Sequence, residues 1–298
     1  MTRAPNALTV DVEEYFQVEA VAHLVAREEW DGLESRVVWE TGRLLDLFAR
    51  EGVHATFFTL GWVARRHPAL VRRIVAEGHE LACHGDGHRM ITQMTREAFR
   101  EDIHRAKASL EDIAGVRVDG YRAPTFSVVE RTRWALDVLR DEGFRYDASI
   151  FPIRHDRYGI PDAPRRPHRI TSGEGAGMVE FPSSTMAVLG RNLPVGGGGY
   201  LRLLPMAYTR WALDRIASEG PFMVYLHPWE IDAQQPRFGL GRLSSLRAYH
   251  NLDAMLDRLA SLIRAYPFDT ARASLSALGL LDGAGANARD AATAAGGP

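Results

Sequence analysis

Short apolar, β-branched runs alternate along the chain with longer stretches in which apolar residues recur at helical spacing. Residues 7–12, 54–60, 81–83, 118–121, 146–151, 178–183 and 222–227 read as strands. Residues 39–50, 62–76, 95–113, 130–142, 205–218 and 252–265 read as helices. The first helix carries Leu44, Leu45, Leu47 and Phe48 on one side and stops at Gly52. Pro68 divides the second. Phe99, Ile103, Ala106 and Leu110 share one face of the third. Strand–helix alternation implies an α/β fold with a mainly parallel sheet. The number of units suits a closed or nearly closed barrel, in which chemistry gathers at the C-terminal strand ends. Three stretches break the pattern. Residues 154–177, rich in Pro, Arg and Gly, read as a long ordered loop. Gly196–Gly199, followed by Tyr200, lacks the Lys-Ser/Thr of a phosphate loop and reads as a hinge or a close backbone approach. The tail after Leu281 has no apolar periodicity and reads as disordered.

Composition narrows the partners. The 298 residues are 46% hydrophobic and 25% charged, as in an ordinary globular protein. Lys+Arg number 36 against 38 Asp+Glu, a net charge of −2, so neither nucleic acid nor an anionic membrane is expected. Cys83 is the single cysteine; no intramolecular disulfide can form, and a small buried strand residue is the expected role. Residues 1–12 lack the apolar core of a signal peptide, and no run approaches the ~18 apolar residues of a membrane span. The expectation is a cytoplasmic protein.

Polar groups collect where the apolar runs end. Residues 84–88 read His-Gly-Asp-Gly-His, a glycine-broken loop offering two imidazoles. Alone, the pair fits a metal corner and two ordinary histidines equally. Period-2 alternation puts Asp11 and Glu13 on one face and Val10 and Val12 on the other. Two carboxylates side by side repel unless a cation or a shared proton intervenes. Arg122 precedes the rigid Pro124, Asp147 sits in a later strand, and His227 closes an apolar one, followed by Trp229 and Glu230.

The ordered series Thr9-x-Asp11-x-Glu13, His84-x-x-x-His88, Arg122-x-Pro124, Asp147 and Leu226-His227 resembles the motif set of the NodB-type polysaccharide deacetylases, carbohydrate esterase family 4. The runs Asp11-Val12-Glu13-Glu14-Tyr15-Phe16, His155-Asp156-Arg157-Tyr158-Gly159-Ile160-Pro161 and Tyr225-Leu226-His227-Pro228-Trp229-Glu230 resemble a subgroup encoded with bacterial exopolysaccharide and exosortase loci. The likeness runs from about Ala7 to Phe268. It implies a distorted or incomplete (β/α) barrel of about seven strands. The deacetylase domain would occupy residues 1–285, with a family-specific part from about residue 150 and a tail over 286–298. It further implies one divalent metal, usually zinc, and removal of N-acetyl groups from amino sugars of an exopolysaccharide or its precursor. His84 and His88 would be metal ligands, with an acid of the first motif as the third. Glu13 is preferred over Glu14 because it shares a face with Asp11. Asp11 would be the general base, Arg122 its orienter, His227 the general acid, and Asp147 the residue holding His227.

These roles suit amide hydrolysis. Two imidazoles and a carboxylate leave metal positions open, and cobalt, nickel or manganese would fit the same ligands. A backbone N–H near Thr125 would face the oxyanion, while Trp229 and Tyr200 would stack on sugar rings. The chain departs from the family where Val12 replaces a second aspartate, Gly85 a Ser/Thr, and Thr125 an aromatic. Two other functions share the pattern: hydrolysis of a small non-sugar amide or ureide, and an inactive carbohydrate-binding module. The sequence sets no oligomeric state.

Overall fold

A computed structural model describes residues 3–281. The tail expected to be disordered lies outside the described residues. The sheet is organised around β1 (Asn6–Val12), which is buried along its whole length. It runs parallel to β10 (Met223–Leu226) on one side and β2 (Thr56–Thr59) on the other, with Val10 opposite Leu226 and Phe57. Beyond β2 follow β3 (Glu80–Cys83), β4 (Gly120–Tyr121), β5 (Tyr146–Asp147) and β7 (Val179–Glu180), all parallel; β6 (His168–Arg169) closes the row antiparallel. A further short strand, β11 (Phe268–Asp269), pairs with the start of β1. This is an α/β sheet curled into part of a barrel.

The alternation in β1 decides which layer each side chain joins. Val10 and Val12 point outward, with Phe57, Val224 and Leu226, into a cluster that holds Leu44, Leu45 and Phe48 of α1 (Val37–Glu51), Leu213 of α7 (Met206–Glu219) and Leu259 of α9 (Met255–Ala265). Leu81, Cys83 and Tyr121 pack outward against Phe99, Ile103 and Leu110 of α4 (Arg96–Ala114) and Leu136 of α5 (Trp134–Asp141). Burying each such Leu or Phe contributes roughly 1.5–3 kcal/mol. Pro68 does not lie inside a helix. It starts α3 (Pro68–Ala76), while α2 (Gly61–Arg66) ends before it, because a proline at the first helical position loses no hydrogen bond.

The inside of the curl is filled differently. Ala7, Phe58, Ala82, Tyr146, Ala148, Val179, Phe181 and Met223 meet Ala271 and Leu275 of α10 (Ala271–Ala277). The Ala271 N–H donates to Thr56 Oγ1 at 2.8 Å, so α10 plugs the N-terminal end of the strands. Access is left at their C-terminal ends, where β1, β3, β4 and β10 deliver their polar residues.

The barrel stays open between β10 and the β7–β6 end. Side-chain and loop contacts, rather than a ladder, satisfy the outer edge of β10. Met223 N–H donates to Ser184 Oγ at 2.7 Å, and Tyr225 N–H to Gly196 O at 3.1 Å. The glycine run is therefore a close backbone approach: a Cβ at Gly197 would overlap the Tyr225 ring. Sequence periodicity placed the long helices within about four residues of their ends, but it overextended several strands. β5 ends at Asp147, not at 151. The hairpin of β8 (Thr185–Val188) and β9 (Arg191–Pro194), the helices α6 (Gly198–Leu203) and α8 (Arg242–Tyr249), and β6 inside the supposed loop were not anticipated. They are short and half-exposed, so they carry little apolar periodicity.

Candidate active site

The His84–His88 loop is built by hydrogen bonds from neighbouring elements. The first N–H groups of α2 have no partner within their helix. Gly61 N–H donates to Gly85 O and Trp62 N–H to Asp86 O, each at 2.9 Å. The Asp86 carboxylate takes Arg65 at 2.6 Å and Arg105 at 2.9 Å, and its N–H donates to Asp102 Oδ2 at 2.8 Å. Asp86 is thus a loop anchor. Gly85 has φ +78°, a conformation that would strain a Ser or Thr, and an added Cβ would press on Asp102. His88 itself has φ +51°, uncommon for a residue with a side chain. The strained turn brings its ring back beside His84, with centroids 5.5 Å apart.

Both imidazoles face Glu13. His88 Nε2 lies 2.6 Å and His84 Nε2 3.8 Å from Glu13 Oε2. One ligand atom from each of the three falls within 4.8 Å of the others, the single such His/Cys/Asp/Glu group among the described residues. His84 Nδ1 is 2.8 Å from the Arg122 carbonyl, which fixes that nitrogen as the protonated one and leaves Nε2 its lone pair. Glu13 Oε1 accepts from the Trp229 indole at 3.1 Å, whereas Oε2 is buried with no hydrogen-bond donor. A buried carboxylate oxygen without a donor, opposite two imidazole nitrogens, fits a divalent cation between them. Burial alone would raise the Glu13 pKa; His88 and His227 hold it well below the ordinary carboxylate range. Glu14 turns the other way. Its carboxylate takes Ser35 and the Arg36 and Val37 N–H groups at the start of α1.

Asp11 lies on the same inner face. Arg122, fully buried at the end of β4, donates to Asp11 Oδ1 at 2.6 Å and to Thr9 Oγ1 at 2.9 Å. Its guanidinium rests 4.1 Å over the Phe58 ring. Across the pocket, His227 Nε2 is 3.8 Å from Asp11 Oδ2 and 3.7 Å from Glu13 Oε1. Burial opposes protonation of His227, but Glu13, Glu230 and Asp11 outweigh it and push its pKa up to about 9.

Residues 37–146 match the family model for polysaccharide deacetylase, and residues 148–276 match a domain of unknown function, DUF3473. Residues 37–146 are thus similar to a polysaccharide deacetylase domain. A chitooligosaccharide deacetylase from Rhizobium leguminosarum bv. trifolii is 41% identical over 70 residues, 24% of this chain and 33% of that protein. A peptidoglycan-N-acetylglucosamine deacetylase from Bacillus cereus is 31% identical over 98 residues, 33% of this chain and 36% of that protein. The chain thus spans about a third of the length of these curated relatives. A crystal structure from Mycobacterium smegmatis, described as a polysaccharide deacetylase, superposes with a TM-score of 0.54 at 23% identity, covering 89% of this chain and 95% of that one. That likeness is one of fold.

Asp147 does not hold His227. Its carboxylate accepts from Ser149 Oγ at 2.5 Å and the Ser149 N–H at 3.2 Å, and it shares a hydrogen bond with Glu180 opposite it on β7. Burial raises both acids, Glu180 well above its usual range, so the pair retains a proton. The residue that reaches the ring is Glu230, whose Oε2 is 3.2 Å from His227 Nδ1. The spacing His227-x-x-Glu230 was the available signal. Arg202, which pairs with Glu230, left none. Trp229, expected to face a sugar, is buried between Glu13 and the His227 ring, on which it stacks at 5.0 Å and 18°. Tyr200 is half-buried beside Tyr158, on the α6 side of Tyr225. Thr125 has φ +56° in the turn after β4, half-exposed among buried neighbours. Cys83 is buried, which pushes its thiol pKa far up and leaves it unreactive.

Proposed function

We propose that this chain is a divalent-metal-dependent hydrolase that removes N-acetyl groups from amino sugars. The observation that carries the reading is the meeting of Glu13, His84 and His88 with Asp11–Arg122 on one side and His227 on the other. A cation held by Glu13, His84 and His88 would supply Lewis acidity, acidifying a water and polarising the amide carbonyl. Zinc, cobalt, nickel and manganese all suit those donors.

The chain's own groups supply the proton transfers. Asp11, tied to Arg122 and facing the pocket, takes the proton of the attacking water. A carbon–oxygen bond to the acetyl carbon forms as the carbon–nitrogen bond breaks. The leaving nitrogen needs a proton, and His227, facing Asp11 and Glu13 with Glu230 behind its ring, gives it. The backbone N–H of Thr125 faces the oxyanion. Acetate and a free amine result. The printed names of the relatives, deacetylases of chitooligosaccharide and peptidoglycan N-acetylglucosamine, support a saccharide substrate. The resemblance of residues 155–161 and 225–230 to the exopolysaccharide-locus subgroup narrows it to an exopolysaccharide or its precursor.

Metal analysis of the purified chain, with acetate release from N-acetylated oligosaccharides, tests this reading. Roughly one divalent metal per chain is expected, with metal and activity both lost in His88→Ala. Unchanged acetate release by that variant would contradict the reading. A chain that neither binds metal nor releases acetate would mark an inactive binding module.

A further inference from the structure

His227 is held from its far side by Glu230, and Glu230 in turn by Arg202, two residues that the five motifs do not contain. Glu230 Oε2 lies 3.2 Å from the ring Nδ1 and accepts the His227 backbone N–H at 3.0 Å. Its other oxygen accepts Arg202 Nε–H at 2.8 Å. Both partners are buried. The remaining Arg202 donors go to backbone carbonyls: Arg247 at 2.8 Å, His250 at 2.9 Å and Ala248 at 3.3 Å. These carbonyls close the C-terminus of α8, where a helix leaves its acceptors unpaired. The guanidinium is therefore fixed from behind and cannot follow Glu230 if that side chain shifts.

We propose that Glu230 and Arg202 are positioning residues of the deacetylation, a charged line running from the end of α8 to the His227 ring. The inference rests on the reading of His227 as the general acid. An imidazole must aim one nitrogen at the leaving group and hand the other to a fixed acceptor. Glu230 takes Nδ1, so Nε2 is the atom turned toward Asp11 and Glu13. A buried carboxylate beside an imidazolium could simply keep the proton, leaving a neutral pair. Burial favours that outcome, but Arg202 and His227 together hold the Glu230 pKa down to about 2. With Arg202 on its other oxygen, Glu230 remains the acceptor facing the ring Nδ1. Asp147, engaged with Glu180, plays no part in this line.

The leaving group supplies the test. An amine cannot depart without a proton; a nitrophenolate can. Glu230→Gln and Arg202→Lys are compared with the parent chain on an N-acetylglucosamine oligomer and on 4-nitrophenyl acetate. Each variant is expected to lower kcat on the amide about 10–100-fold, with KM and metal content kept, and to lower the amide-to-ester rate ratio about tenfold or more. Arg202→Lys retains charge and most of the bulk, so it carries the test if Glu230→Gln folds poorly. A merely structural role would lower both substrates in parallel, and that result overturns the proposal, as would full amide activity in both variants. His227→Ala separates the two levels of the argument. If it shows the loss in ratio and the other two do not, the positioning role fails alone. If His227→Ala also lowers both substrates equally, the acid assignment fails, and the proposal with it.

Discussion

Glu13 and Glu14 are neighbours in the chain, both buried, and their pKa values are shifted in opposite directions. Glu13 faces inward to His84, His88 and the Trp229 indole, and stays well below the ordinary carboxylate range. Glu14 faces outward to Ser35 and the first N–H groups of α1, and burial raises its pKa. Behind Glu14 sits Glu40, buried, beside Asp232. Desolvation and the charges of Glu14 and Asp232 push Glu40 up to about 9, so it is protonated at neutral pH. Asp147 and Glu180 repeat that pattern inside the barrel. Burial by itself neutralises a carboxylate. A buried carboxylate held below its usual range faces cations: Glu13 meets His88 and His227, and Glu230 meets Arg202 and His227.

The contrast can be broken by substitution. The largest effect is expected for Glu13→Gln. Removing the charged ligand should abolish metal retention and lower kcat/KM about a thousandfold or more, several kcal/mol of barrier, read by metal analysis and acetate release. Next is Arg122→Met, which leaves buried Asp11 without its guanidinium partner. A loss of about 3–5 kcal/mol in denaturant unfolding is expected.

Glu40→Gln should act in the opposite direction. The folded-state pKa of Glu40 lies above its unfolded value, so the stability it contributes is complete below about pH 4.5 and is lost as pH rises toward about 9. The parent should therefore lose stability across that window relative to Glu40→Gln, and at pH 8 the variant should be the more stable by about 2 kcal/mol. Urea titrations at pH 5 and pH 8 measure this; a variant less stable at pH 8 would show that Glu40 is charged. The smallest effect is expected for Asp147→Asn, within about 1 kcal/mol, because that pair already holds a proton.

The fold was largely legible because β1, β10 and the amphipathic helices bury clear apolar faces, and an incomplete α/β barrel follows from their order. What escaped has little apolar patterning: α8 buries none of its residues, and β6 spans two. At the site, residues belonging to one strand end could be read from alternation, as with Asp11 and Glu13. The partner of Asp147 could not, because Glu180 faces it only through the register of β5 on β7. Arg202 was invisible for the same reason. It reaches Glu230 and the end of α8 across 28 and 45 or more residues of chain. Long-range pairing of polar side chains leaves no period in a sequence.

The central claim concerns a cation held between two loops. Crystals of the chain purified with zinc, measured on either side of the zinc absorption edge, test it directly. The account expects one strong anomalous peak within bonding distance of Glu13 Oε2, His84 Nε2 and His88 Nε2. A peak at other residues, or three side chains arranged as described around water alone, would contradict it.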